Sequence, residues 1–141
     1  YDQWRDDLNF TVKHIAPQTS EASWDQSIYA DINTINCLGN LTLLPQNANS
    51  SAGNRPWKEK KVMFDIFSAK TEEDVQSKIK QASKKGIKFS VSAKDIFASC
   101  QFHPHLEAIS SVKTWDKNLI DKRSLKLAEL AWDRISPWLG Y

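Results

Sequence analysis

A histidine, His14, several amides, Asn40, Asn47, Asn49 and Asn54, and four cations, Arg55, Lys58, Lys60 and Lys61, fall within the first 61 positions of the chain. Together these residue types suit phosphodiester hydrolysis. An unperturbed imidazole, with a pKa of about 6.5, takes a proton from water at neutral pH. An amide oxygen ligates a hard cation, which would neutralise charge on the scissile phosphate and on the departing oxygen. Guanidinium and ammonium groups hold the flanking phosphates.

The elements that must position these groups follow from local pattern. Residues 9–15, NFTVKHI, alternate apolar Phe10 and Val12 with polar neighbours and predict a strand that ends at Pro17, with His14 near its close. Residues 18–36 show little periodicity and predict a long loop, pinned by Trp24 and Ile28. A loop of that length is uncommon unless it is functional or carries short helices. Gly39 opens a second strand, residues 40–44, closed by Pro45, and a run of small polar residues comes next. Asn54 suits an N-cap and Pro56 a first helical turn, for a helix bearing Trp57, Phe64 and Phe67 on one face. Lys58 and Lys61, three apart, are neighbours on one side of it. Another helix starts at Thr71, with Glu72, Glu73 and Asp74 in its first turn and Lys84, Lys85 and Gly86 at its end, the order the helix dipole favours. A short helix covers residues 92–99. A last one covers 115–138, where Leu125, Ala128, Trp132, Ile135 and Leu139 have the spacing of a buried stripe.

Composition bounds the answer. The chain has 141 residues, 26% charged and 40% apolar, with 19 Lys+Arg against 17 Asp+Glu. That suits one domain, which at this size hides about two-thirds of the surface of its unfolded chain. It excludes wholesale disorder, and the apolar runs are too short to span a bilayer. The acidic, polar start is no secretory signal, and a chain opening mid-pattern at Tyr1 reads as part of a longer protein. Cys37 and Cys100 match no zinc spacing and read as free thiols in a reducing, cytoplasmic setting. The formal net charge of +2 requires any attraction to nucleic acid to come from a patch.

HIAPQ, GNLTLL and NANSSAGNRPWKEKK, in that order, resemble the HNH (His-Me finger) nucleases, and more narrowly the C-terminal domain of GmrSD-type restriction endonucleases with its HxxP motif. The resemblance runs from about Phe10 to Trp132 and includes a Trp…Ile…Arg pattern at Trp115, Ile120 and Arg123. It implies an α+β fold, a small β-hairpin plus helix (the ββα-metal motif) within a mainly helical domain spanning 1–141. By the same resemblance His14 is the general base, Asn40 buttresses the histidine loop and Asn49 is a ligand of Mg²⁺ or Mn²⁺. Asn54, Arg55, Lys58 and Lys61 would contact DNA. The implied protein is a restriction, anti-phage enzyme with an upstream nucleotide-hydrolysing, DNA-sensing domain and no membrane partner.

One position departs. Many relatives carry Asp or Glu just before the histidine as a metal ligand; here the residue is Lys13. Either Lys13 points away, or the metal is held weakly by Asn49, water and phosphate, or activity is lost. Two other readings stay open, a decayed nucleic-acid-binding module and a scaffold that uses the Trp-rich helices as a partner surface. Asn47 is the rival ligand to Asn49. His103 and His105 predict a helix-entry loop. The basic run Lys78, Lys80, Lys84, Lys85 and Lys88 is either a DNA track or a helix end suited to the dipole.

Overall fold

The computed structural model describes residues 10–99 and 103–141. The chain is α+β, mainly helical with one two-stranded antiparallel sheet. In chain order the elements are β1 (Phe10–His14), α1 (Ile32–Asn36), β2 (Leu41–Pro45), α2 (Gln46–Ala52), α3 (Trp57–Phe67), α4 (Glu72–Lys84), α5 (Val91–Ser99), α6 (His105–Ser111) and α7 (Lys117–Ile135). Short 3-10 turns lie at Gln26–Tyr29, Leu38–Asn40 and Ser136–Leu139. The chain divides into two compact units. One holds Leu43–Lys113 with the start of β1; the other holds Val12–Thr42 and Thr114–Tyr141.

In the first unit, apolar faces of α3, α4, α5 and α6 supply the core: Met63, Phe64, Phe67, Val75, Phe97 and Leu106 are fully buried. Burying each such side chain contributes about 1.5–3 kcal/mol. Phe97 receives Phe67 and Phe89 edge-on at 5.2 and 5.0 Å between ring centres, a geometry aromatic quadrupoles favour. The start of α4 follows its sequence: the Thr71 hydroxyl accepts from the Asp74 amide at 3.2 Å, with three acids in the first turn. Gly86, just past the helix, has φ 80°, where a side chain would be strained.

In the second unit Ile15, Ala16, Trp24, Ile28, Ile35, Trp115 and Ile120 form the core. The expected long loop contains the Gln26–Tyr29 turn and α1, each started by an aspartate: Asp25 accepts from Ser27 N at 2.8 Å and Asp31 from Asn33 N at 2.9 Å.

The apolar residues of β1 are the open ones, Phe10 at 42% and Val12 at 57% exposed, whereas Lys13 is buried. Several expectations are corrected. The second strand begins at Leu41, since Asn40 belongs to a 3-10 turn. The small polar run folds as α2, held by Ala48 and Ala52, one turn apart and fully buried. Asn54 does not cap α3; Pro56 occupies the cap position. The stripe on α7 is not buried: Ile120 is the buried residue of that helix, and Trp132 and Trp138 are 53% and 88% exposed. Trp4 and Cys100 lie outside the described residues.

Candidate functional site

In the second unit, β1 ends at His14, and the turn before β2 holds the loop that comes after it. Asn40 has no solvent exposure. Its Oδ1 accepts from the Ala16 amide at 2.8 Å and from the Trp115 indole N–H at 3.1 Å. Its Nδ2 donates to the Ala16 carbonyl at 3.1 Å and the Ile35 carbonyl at 2.9 Å. A side-chain amide has two donor and two acceptor positions, so all four are used. The Asn40 carbonyl also accepts from Ile15 N at 2.8 Å. Both residues after His14 are thereby fixed to one asparagine.

The imidazole itself is half-buried, and its Nε2 lies 3.1 Å from Asn36 Oδ1 at the end of α1. An amide oxygen only accepts, so the contact suits the neutral tautomer with its proton on Nε2 and a lone pair on Nδ1.

The turn carrying Asn40 is clamped by α7. The Arg123 guanidinium donates to the carbonyls of Leu38, Gly39 and Leu41 at 3.3, 2.6 and 2.9 Å. The Ser124 hydroxyl accepts from Gly39 N at 2.8 Å. A Cβ on Gly39 would collide with the Ile120 carbonyl and with Ser124, so only glycine lets helix and turn approach this closely. Lys13, next to His14, is 9% exposed, and burial pulls its amine below the usual lysine range.

In the first unit, Asn49 sits on α2, and its Nδ2 donates to Thr11 Oγ1 at 2.7 Å, while Thr11 in turn donates to the Leu44 carbonyl at 3.2 Å. The rival, Asn47, is exposed and accepts from Ala48 N at 2.9 Å. Asn54 is exposed. Of the basic group, Arg55 pairs with Glu59 at 3.0 Å and reaches the Ser51 carbonyl at 3.3 Å. Lys61 donates to the Val112 carbonyl at 2.6 Å, Lys60 is fully buried, and Lys58 is exposed. So Lys58 and Lys61 share a helix side, yet one amine is open and the other is bonded within the fold. In the second basic run, Lys78 is paired with Asp65 at 2.8 Å, while Lys80, Lys84, Lys85 and Lys88 are exposed. His103 and His105 enter α6. The His105 Nε2 lies 3.0 Å from the Leu43 carbonyl, and the two imidazoles stand 5.8 Å apart, ring centre to ring centre.

The donor set does not make a standing site for a divalent ion. Such ions take six or more oxygens and draw most of their affinity from carboxylates. Among the described residues no group of three or more His, Cys, Asp or Glu is placed to hold a metal. Asn49 contributes one neutral amide whose nitrogen end is engaged, and the position before His14 carries a lysine.

Sequence alone does not point to Asn36 or Ser124, since each matters through a partner 22 or 85 positions away. Trp115 and Arg123 could be found only through the Trp…Ile…Arg pattern. No described helix is long and apolar enough to cross a membrane. No curated protein matches the chain. Residues 1–130 match the family described as GmrSD restriction endonucleases, C-terminal domain. With that match covering most of its length, and with the histidine loop tied to the asparagine turn, the chain belongs to the GmrSD restriction endonuclease C-terminal domain family.

Proposed function

We propose that this domain hydrolyses DNA phosphodiester bonds, with His14 as the general base. The observation that supports it most is the fixing of Ile15 and Ala16, the residues after His14, by the carbonyl and side chain of Asn40, together with the Asn36 contact at the ring. In this reading Nδ1 of His14 takes the proton from the attacking water. Asn36 holds the tautomer from behind, and Asn40 is a positioning residue that keeps the imidazole at one angle. A rigid base matters because a small misplacement of a reacting group costs orders of magnitude in rate.

Exposed Lys58 and Asn54 hold backbone phosphates, and Arg55 joins them where DNA phosphate competes with Glu59. Contacts of that kind read charge and not sequence, so binding weakens steeply with salt. Asn49 is, by the family resemblance, the amide that would meet Mg²⁺ or Mn²⁺, and any such ion would arrive with the DNA phosphates and their water. The upstream nucleotide-hydrolysing, DNA-sensing domain of a restriction enzyme would choose the target.

Plasmid nicking with magnesium, with manganese and with EDTA tests this, on the wild type and on His14→Ala. General-base loss lowers the rate by about 10²–10⁴-fold. Unchanged nicking by His14→Ala would reject the assignment. Buried Lys13 in the place of an acid favours one second reading, a DNA-binding module that no longer cuts. Salt-sensitive DNA binding with no cleavage at any ion would select it.

A further inference from the structure

We infer that the C-terminal end of α4, with the segment that leaves it, is a contact surface for the backbone of duplex DNA, made by Lys80, Lys84, Lys85 and Lys88. The inference rests on the DNA reading above and adds to it a place where the duplex is held. Residues 75–94 contain six lysines and no acid. Lys78 is engaged by Asp65 at 2.8 Å and Asp74 at 3.9 Å. Lys80, Lys84, Lys85 and Lys88 are exposed, and their amines have no ion pair or hydrogen bond among the described residues.

The backbone gathers these four residues around one helix end. Val75, Ile79 and Ala82 turn the apolar side of α4 into the core, which puts Lys80 and Lys84 on the outer side, about 6 Å apart along the axis. Lys85 is the cap residue. The chain reverses at Gly86, and the Ile87 amide returns to the Ala82 carbonyl at 3.0 Å, so the next segment starts beside the last turn. There Ile87 and Phe89 are buried, and Lys88 between them is exposed.

The helix dipole does not account for the run. It acts within the last turn and covers Lys84 and Lys85, whereas Lys80 lies before that turn and Lys88 belongs to no helix. Exposed Lys94 stands in the first turn of α5, the end where the dipole disfavours a cation. Nor is this an ordinary solvated face of mixed charge. On α7, by contrast, Lys117 and Lys126 are matched by Asp121 at 2.7 Å and Glu129 at 3.5 Å.

Duplex DNA is the partner that this charge fits. In a chain of net charge +2 the attraction has to be local, and the family is that of a restriction endonuclease domain. Amines spread over more than a helical turn match a row of phosphates. The exposed side of α4 is polar throughout, with no apolar edge to enter a lipid surface. Glu72 and Glu73, exposed at the opposite end of the helix, repel phosphate, so the duplex crosses the helix end and does not run along the axis.

Fluorescence anisotropy of a labelled duplex in EDTA, titrated with the 141-residue chain from about 50 to 200 mM salt, tests the inference. Replacing all four residues, Lys80→Gln, Lys84→Gln, Lys85→Gln and Lys88→Gln, should weaken binding at least about tenfold. It should also flatten the slope of log affinity against log salt by about 2–4, since each lysine on a phosphate contributes about 0.9. A control that removes the same charge elsewhere, Lys113→Gln, Lys122→Gln, Lys126→Gln and Arg134→Gln, all exposed, should change affinity less than about threefold. Circular dichroism checks that both variants fold. A patch variant that binds as the wild type does, or a control that weakens binding equally, overturns the inference and leaves His14 untouched. Lysine-dependent binding to phosphatidylserine vesicles without binding to the duplex overturns it as well. A wild type that binds no duplex at low salt overturns it together with the DNA reading. If the patch variant loses DNA while His14→Ala nicks as the wild type does, the patch stands and the general-base assignment falls.

Discussion

Asn40 and His103 are both buried polar residues, at 0% and 7% exposure, and they are treated in opposite ways. In the second unit, every hydrogen-bonding position of Asn40 is matched. In the first, His103 Nε2 is buried without a hydrogen-bond partner among the described residues, and the ring is met edge-on by Phe10 at 5.8 Å. Burial first, and the neighbouring His105 second, pull the His103 pKa below the ordinary histidine range. A buried polar group with its partners in place specifies one arrangement, and one without them only loses water. Burial of a polar residue therefore says little until its partners are named.

The contrast can be broken by substitution, and the largest effect should come from Asn40→Leu. It strands the Ala16 amide and carbonyl, the Ile35 carbonyl and the Trp115 indole, a loss of roughly 3–5 kcal/mol by urea titration. Gly39→Ala should rank next at about 2–4 kcal/mol, because backbone on α7 blocks the added methyl and must shift. Trp115→Phe removes one donor to Asn40 and keeps most of the packing, for about 1–2 kcal/mol. His103→Phe should lie within about 1 kcal/mol of wild type and on the stabilising side, since it removes an unmatched atom.

The same variant sharpens the contrast through pH. With its folded pKa lowered, His103 leaves stability intact above the unfolded value of about 6.5, and below it the unfolded chain binds the proton first. Thermal midpoints should therefore fall from pH 7 downwards more in the wild type than in His103→Phe. Equal slopes would show that burial at His103 carries no such penalty.

Much of the fold could be read from short-range pattern. The limits of α4 follow from Thr71, its three acids and Gly86, because capping and dipole effects act within one turn. The β1 alternation locates a strand but not its covered face, since a period of two does not say which side is buried. On α7 the periodicity is real, yet it reports only that something apolar belongs there, not that the chain's own core supplies it. α2 has no apolar stripe to find; two alanines suffice because the contact is close. Of the site, the HxxP and GNLTLL motifs lead to His14 and Asn40 by resemblance. Asn36 escapes notice because its contact depends on where α1 ends in space.

Arg123, Ser124 and Trp115 reach back 75 to 85 positions to grip the turn at residues 38–41. Closing loops of that length must precede any reward from the contacts, which slows assembly. During synthesis the histidine loop therefore emerges long before its clamp exists, and it takes its final shape only once α7 has left the ribosome. A polypeptide interrupted before α7 would carry the motif without the means to set it.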